Sequence, residues 1–244
     1  VRPFVLLATR AEDLPADEEY AAMLRATGLD ERGLIRVRLE AEPMPPLDLD
    51  ALSGIIVGGG PFNASDAPEA KSPVQRRVEA EFAALLDRVV PTDFPFFGAC
   101  YGIGTLGAHE GAVIDRTFGE AISVVEVTLT DEGASDPLFA GLPTEFGAFV
   151  GHKEAASRLP AHAVHLASSP GCPVQAFRVG RNVYATQFHP ELDVDGITTR
   201  IHAYAGHGYF AADELELTLA AVRTAPVSHP ARMLRTFVEL YARD

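Results

Sequence analysis

Short apolar runs alternate with amphipathic stretches through the first half of the chain. Pro3 to Ala8 reads as a buried strand, and Ala16 to Ala26 as a helix stopped by Gly28. Leu34 to Leu39 alternates apolar residues with arginine, the pattern of a half-buried strand. Gly54 to Val57 is a short apolar strand broken by Gly58-Gly59-Gly60-Pro61. Ser72-Pro73-Val74-Gln75 carries a helix-start signal: a Ser cap, Pro at the first helical position and Gln three residues after the cap. The stripe Val78, Phe82, Leu85 and Leu86 predicts that this helix runs to about Val89. Phe94 to Phe97 reads as the next strand and Gly102 to His109 as a helix.

From Ala121 the texture changes. Alternating segments at 121–130, 146–152, 162–167, 173–178 and 182–188 read as strands joined by short turns. Helical patterns return at Thr198 to Ala205, Asp213 to Thr224 and Pro230 to Arg243. Strand–helix alternation in the first half predicts a parallel sheet covered on both faces. The expected fold is therefore α/β: an open, mostly parallel, flavodoxin-like sheet with helices on both faces and a mixed, antiparallel extension. We expect one domain over residues 1–244, with a core at about 3–192 and C-terminal helices at about 195–243.

Composition narrows the function classes. The chain has 244 residues, 47% of them hydrophobic, which excludes disorder as its dominant state. Its net charge of −14, with no long Lys/Arg run, argues against nucleic acid and anionic membranes as partners. No apolar run approaches the roughly 18 residues of a membrane helix, and no secretory leader opens the sequence, so a cytoplasmic location is expected. Two cysteines, Cys100 and Cys172, are too few for a disulfide framework or a zinc ribbon. The acidic runs Asp17-Glu18-Glu19 and Asp213-Glu214 fit the first turns of helices, where they complement the dipole.

The most informative stretch is Phe96-Phe97-Gly98-Ala99-Cys100-Tyr101-Gly102. A buried strand enters a sharp turn and a helix leaves it. A nucleophile at the turn is lifted above the sheet edge, and glycines two residues before and after it permit the close backbone approach. The helix N-terminus should help the Cys100 thiol lose its proton. A thiol also needs a base, and the base needs an acceptor that orients it. Asn182 to Phe188 reads as a strand ending in His189-Pro190-Glu191, which supplies both. Gly58-Gly59-Gly60-Pro61 also follows a strand, where backbone donors could meet a developing oxyanion. The expected donors are the N–H groups of Gly60 and Tyr101.

In these three segments the chain resembles the class I, triad-type glutamine amidotransferases, and within them the amidotransferase half of the GMP synthases. The matching residues are Gly58-Gly59-Gly60-Pro61, Gly98-Ala99-Cys100-Tyr101-Gly102 and Gln187-Phe188-His189-Pro190-Glu191, and the resemblance spans about residues 3–192. It implies that Cys100 attacks the side-chain amide of glutamine, that His189 is the general base and acid, and that Glu191 orients it. Ammonia leaves, and water cleaves the glutamyl thioester. No cofactor and no metal are implied. The family carries Gln four residues after the nucleophile, where this chain has Gly104. It has Ser before the His of a further loop, where this chain has Gly151-His152, and His152 is expected to line the site mouth. No synthetase domain is visible, so a separate ammonia-accepting synthetase subunit is the expected partner. Gly104 leaves open a stand-alone hydrolase of γ-glutamyl amides or peptides. A non-catalytic regulatory or partner-binding subunit on the same fold is the reading from another class.

Other patterns carry less. Gly102-Ile103-Gly104-Thr105-Leu106-Gly107 fits G-x-G-x-x-G, with Glu126 at about the spacing of a ribose acceptor, but it overlaps the cysteine turn and does not sit in the first strand–helix turn. His162 and His165 fall on opposite faces of a strand, which disfavours joint metal ligation. Cys172, in a Pro/Gly turn, reads as a small apolar filler. Asp115, Arg116 and Glu120 read as a solvated face.

Overall fold

A computed structural model describes residues 1–204 and 215–244. The expected helix start at Asp213-Glu214 and helix end at Ala205 lie outside the described residues.

The first half alternates as its pattern predicts. Strand β1 (Phe4–Ala8) leads to helix α1 (Asp13–Thr27), then β2 (Leu34–Arg38), β3 (Gly54–Val57), α2 (Pro73–Val89), β4 (Phe96–Ala99) and α3 (Tyr101–Glu110). The second half supplies β5 (Val113–Asp115), β6 (Glu120–Leu129), the short α4 (Asp131–Ser135), β7 (Glu145–His152), β8 (Ala155–Arg158), β9 (Val164–Ser168), β10 (Ala176–Val179) and β11 (Val183–Thr186). Helices α5 (Val194–Ala203), α6 (Leu215–Thr224) and α7 (Ala231–Tyr241) follow. The main sheet has the order β2-β1-β3-β4-β11-β10-β9-β6-β7. Its β2 to β11 half is parallel, and the rest is antiparallel. The small β5-β8 ladder stands apart.

Local signals hold where they were strongest. Ser72 accepts from the N–H of Gln75 at 3.0 Å, and the α2 stripe is buried. Gly28 ends α1 in the left-handed conformation, φ 74°, its N–H bonded to Leu24 O. Boundaries differ where caps decide them. Helix α5 begins four residues before the expected Thr198 because the Asp193 carboxylate accepts from Gly196 N–H at 2.8 Å. Helix α1 begins at Asp13, so Asp17-Glu18-Glu19 fall beyond its first turn, and Glu19 faces inward at 2% exposure. Strand β9 begins after His162, which sits in a turn and pairs with Glu110 at 2.8 Å.

Two apolar layers cover the parallel half. Helices α1 and α7 pack on one face through Met23, Leu234 and Phe237, and α2 and α3 on the other through Val78, Phe82, Ile103 and Leu106. Phe237 meets the rings of Phe4, Phe97 and Tyr241 at 5.9, 5.7 and 4.9 Å, which fastens the last helix to the sheet. Burying such a ring is worth about 1.5–3 kcal/mol. This packing makes the strand ends a rigid base for what they carry.

Candidate active site

Because β1, β3, β4 and β11 are parallel neighbours, their carboxyl ends lie along one edge, the side on which open α/β sheets place ligands. That edge collects Thr9-Arg10, Gly58 to Gly60, Cys100 and Gln187 to Glu191 in four consecutive strand exits. The register sets Thr186 beside Ala99, and Cys100 N–H donates to Thr186 O at 2.7 Å.

Cys100 sits at a strained turn, with φ 51° and ψ −89°. A non-glycine residue with positive φ is held there only by its surroundings. The flanking glycines meet as the pattern predicts: a Cβ on Gly98 would stand 2.8 Å from Gly102 Cα. The expected acidification of the thiol is not found. Burial pushes Cys100 up to about 12; Arg10 and Arg200 pull it down, and Glu191 and Glu154 oppose them. Loss of water outweighs the amino end of α3, and the resting group is a neutral thiol.

His189 is fixed from two sides. Its backbone N–H donates to Phe149 O at 2.9 Å, and its Nδ1 lies 2.8 Å from Glu191 Oε1. Burial lowers its pKa against the pull of Glu191, and Arg200 lowers it further, so the ring is neutral near pH 7. Burial opposes ionisation of Glu191, but His189 and Arg200 win and hold its carboxyl well below the usual range. Nδ1 faces the carboxylate, which leaves Nε2 for chemistry. Cys100 and His189 line the same open pocket, with no hydrogen bond between Sγ and the ring. Gly60 lines it too, and neither Gly60 N–H nor Tyr101 N–H meets an acceptor among the described residues.

His152 stands elsewhere. Gly151 lines the pocket, whereas the His152 ring is buried, with Nδ1 2.9 Å from Glu154 O and Nε2 2.9 Å from Glu120 Oε2. Both nitrogens are engaged away from the pocket, which corrects the expected place of His152 at its mouth. Glu120 is likewise no solvated-face residue: it also accepts from Gln175 Nε2 at 2.8 Å. With Cys172 these two form a second Cys–His–Glu grouping, their donor atoms within 4.8 Å of one another. Among the described residues it is the grouping close enough to share a metal ion. Cys172 is wholly buried, donates to Val174 O at 3.5 Å, and lies outside the pocket.

The glycines of G-x-G-x-x-G serve packing. Gly102 lies against Val57, Gly104 against Glu154 and Ala64, and Gly107 against Ile114 and Ala112.

Three further charged residues, Arg10, Glu154 and Arg200, were not singled out from the sequence, and Glu19 was expected only to complement a helix dipole. Arg10 and Arg200 line the pocket, and Glu19 bonds to both. Glu154 accepts from Ala64 N–H at 2.8 Å and Ser65 N–H at 2.7 Å, just beyond the glycine loop. Arg10 and Glu154 carried one available signal, their place beside a strand end; Glu19 and Arg200 lie on helices and carried none.

The comparisons bear on the family and the fold. The family profile for class I glutamine amidotransferases matches residues 29–217. The chain is 26% identical over 172 residues to a glutamine-hydrolyzing GMP synthase subunit of Thermoplasma acidophilum, covering 70% of this chain and 76% of that one. It is 31% identical to the GMP synthase of Aeropyrum pernix over 62% of this chain but only 28% of that longer protein. The crystal structure of a glutamine amidotransferase from Thermotoga maritima superposes over the full length of both chains with a TM-score of 0.78 at 21% identity, which is a likeness of fold.

Proposed function

The chain belongs to the class I glutamine amidotransferase family, and from that premise we propose that it hydrolyses the side-chain amide of glutamine at Cys100 and passes ammonia to a separate synthetase subunit. One observation carries the assignment of the nucleophile: Cys100 stands on a strained turn in the pocket that also exposes His189.

At rest the thiol and the imidazole are both neutral. As Sγ attacks the amide carbon, His189 Nε2 takes its proton, and Glu191 stabilises the imidazolium through Nδ1. The oxyanion falls to the N–H groups of Gly60 and Tyr101. Nε2 then protonates the leaving nitrogen, and ammonia departs. Water, deprotonated by the same nitrogen, attacks the thioester carbon, and the C–S bond breaks as Nε2 returns that proton to Sγ, releasing glutamate. His189 thus returns to its starting state after each half-reaction.

Among the described residues no helix is long and apolar enough to cross a membrane. Both cysteines are free, which supports a place in the cytoplasm. The acceptor follows by likeness to a relative named as one subunit of a GMP synthase.

A second substrate class is favoured by Glu154, whose carboxylate lies against Gly104, where the family carries a glutamine side chain. With a carboxylate where the family carries that amide, the groups available to hold the substrate differ, which favours a γ-glutamyl amide other than free glutamine. Glutamate and ammonia release from glutamine, measured beside amine release from substituted γ-glutamyl amides, decides between them. Glutamine turned over faster supports the amidotransferase. Turnover of substituted amides alone supports the hydrolase. No turnover of either, with Cys100 intact, leaves the non-catalytic subunit.

A further inference from the structure

Helix α1 places one carboxylate, Glu19, beneath the catalytic edge. Its side chain is fully enclosed. Three donors converge on its Oε1: Arg10 Nε at 3.0 Å, Arg200 Nη2 at 3.1 Å and the backbone N–H of Gly59 at 3.2 Å. Its Oε2 is buried without a hydrogen-bond partner and lies 2.6 Å from where a Cβ on Gly58 would stand. The glycine loop is therefore moulded around this carboxylate.

Each donor belongs to a different part of the site. Gly59 N–H is one peptide before the Gly60 donor. Thr9 Oγ1 donates to Gly59 O at 3.3 Å. In a trans peptide the C=O and the next N–H point in opposite directions. Holding Gly59 at its N–H and at its O therefore sets the direction of Gly60 N–H. Arg200 continues the chain of contacts: its Nη2 also donates to Glu191 Oε1 at 2.8 Å, the same oxygen that His189 Nδ1 meets at 2.8 Å. Arg10 reaches Tyr204 Oη at 3.0 Å and lines the pocket with Arg200.

We propose that Glu19 is a positioning residue for the catalytic centre: one oxygen aligns the Gly59–Gly60 donor and, through Arg200, the Glu191–His189 pair. The inference rests on the Cys100 reading of the site. A network of buried ions adds little net stability beside apolar packing of equal volume. What Glu19 supplies is geometry, coupling α1, the glycine loop and α5 at one atom.

The test compares Glu19→Gln and Glu19→Asp with the wild type. Glu19→Gln keeps the shape but cannot balance two guanidinium groups. Glu19→Asp keeps the charge but withdraws the oxygen from Gly59. Hydrolysis gives kcat and KM, and the rate of iodoacetamide labelling at Cys100 against pH reads the thiol without any substrate. The charged groups that act on Cys100 are Arg10 and Arg200, which favour its thiolate, and Glu191 and Glu154, which oppose it. Removing the Glu19 charge leaves the arginines uncompensated, so the labelling midpoint moves to lower pH in Glu19→Gln and stays near the wild-type value in Glu19→Asp. In both variants kcat falls about hundredfold, as expected for a reacting group displaced by about an ångström, with KM little changed. An unmoved midpoint in folded Glu19→Gln, or wild-type kcat in folded Glu19→Asp, overturns the proposal. Wild-type protein that labels at Cys100 but hydrolyses no γ-carboxamide defeats the functional reading instead, and the labelling arm then decides this one.

Discussion

Glu154 stands where a side chain on residue 104 would begin: its Oε1 is 2.6 Å from the Cβ position of Gly104. The carboxylate is not loose there, because Ala64 and Ser65 N–H both bind it. Gly104 is thus a filled position, with the carboxylate supplied from the connection between β7 and β8. Gly104→Gln alone should displace Glu154 and free the loop beyond Gly60. Two backbone donors lose their acceptor, at about 1–3 kcal/mol each. We expect a higher KM for glutamine in Gly104→Gln, by roughly tenfold or more, and partial recovery in Gly104→Gln/Glu154→Ala. A lower KM in the single variant would show that Glu154 yields freely.

The two cysteines make opposite predictions. Cys100→Ser should abolish turnover and leave the fold intact, since the elbow is held by Gly98, Gly102 and the bond to Thr186 O. Cys172→Ser should keep near-wild-type kcat with modest destabilisation, because its buried thiol lies outside the pocket and its hydrogen bond is to a backbone carbonyl, at 3.5 Å. Mass mapping after iodoacetamide gives an independent check: Cys100 labels first. Preferential labelling or loss of activity at Cys172 would move the nucleophile to the Glu120–His152 grouping.

The elements of this edge were legible because the signals were local. A strand running into Gly-x-Cys-x-Gly, a Gly-Gly-Gly-Pro stop and His-Pro-Glu after a strand each mark one strand exit, and parallel order aligns them. What stayed hidden was the support. Glu19 lies 40 residues from Gly59 and 181 from Arg200 in sequence. Its neighbours Asp17 and Glu18 share its chemistry, and only the tertiary fold turns one of the three inward. Glu120 was read as solvated for the same reason, since nothing near it in sequence announces His152 or Gln175. The thiol expectation failed through magnitude: a helix terminus gives a modest pull, whereas burial costs several pKa units.

Acid should inactivate the site through two groups of different sign of charge. Burial lowers the folded-state pKa of His189 below its ordinary 6.5, so the unfolded chain takes up that proton first and stability falls as pH drops through about 6.5. Glu191 has a depressed folded-state pKa, so its contribution is complete above its unfolded value of 4.5 and is lost as pH falls below it. Thermal melts from pH 8 to 4 should therefore show a first decline near 6.5 and a second near 4.5. His189→Asn should remove the first while abolishing most activity. Glu191→Gln should retain more activity than His189→Asn, because it orients the ring and does not react. A melting curve flat between pH 7 and 5 in the wild type would contradict the neutral buried imidazole.

The elbow itself can be tested without touching a reacting atom. A Cβ on Gly98 would lie 2.8 Å from Gly102 Cα, 3.0 Å from Gly102 C and 3.1 Å from Gly102 O. All three are backbone atoms in the first turn of α3, so no side chain can swing aside. Gly98→Ala must part β4 from α3 or rotate the turn between them, and the turn carries Cys100 at φ 51°. Overpacking of this kind costs about 1–3 kcal/mol, roughly 2–12 °C in melting temperature for a domain of this size. Activity should fall further than stability, because a shifted elbow moves Sγ away from His189 and Tyr101 N–H away from the oxyanion together. Gly111→Ala is the contrasting control: its φ of 87° strains an alanine, yet no atom lies within 4 Å of the added Cβ. It should lower the melting temperature and leave kcat unchanged. Equal loss of kcat in both variants would mean that general destabilisation, and not the approach of Gly98 to Gly102, governs the activity of the elbow.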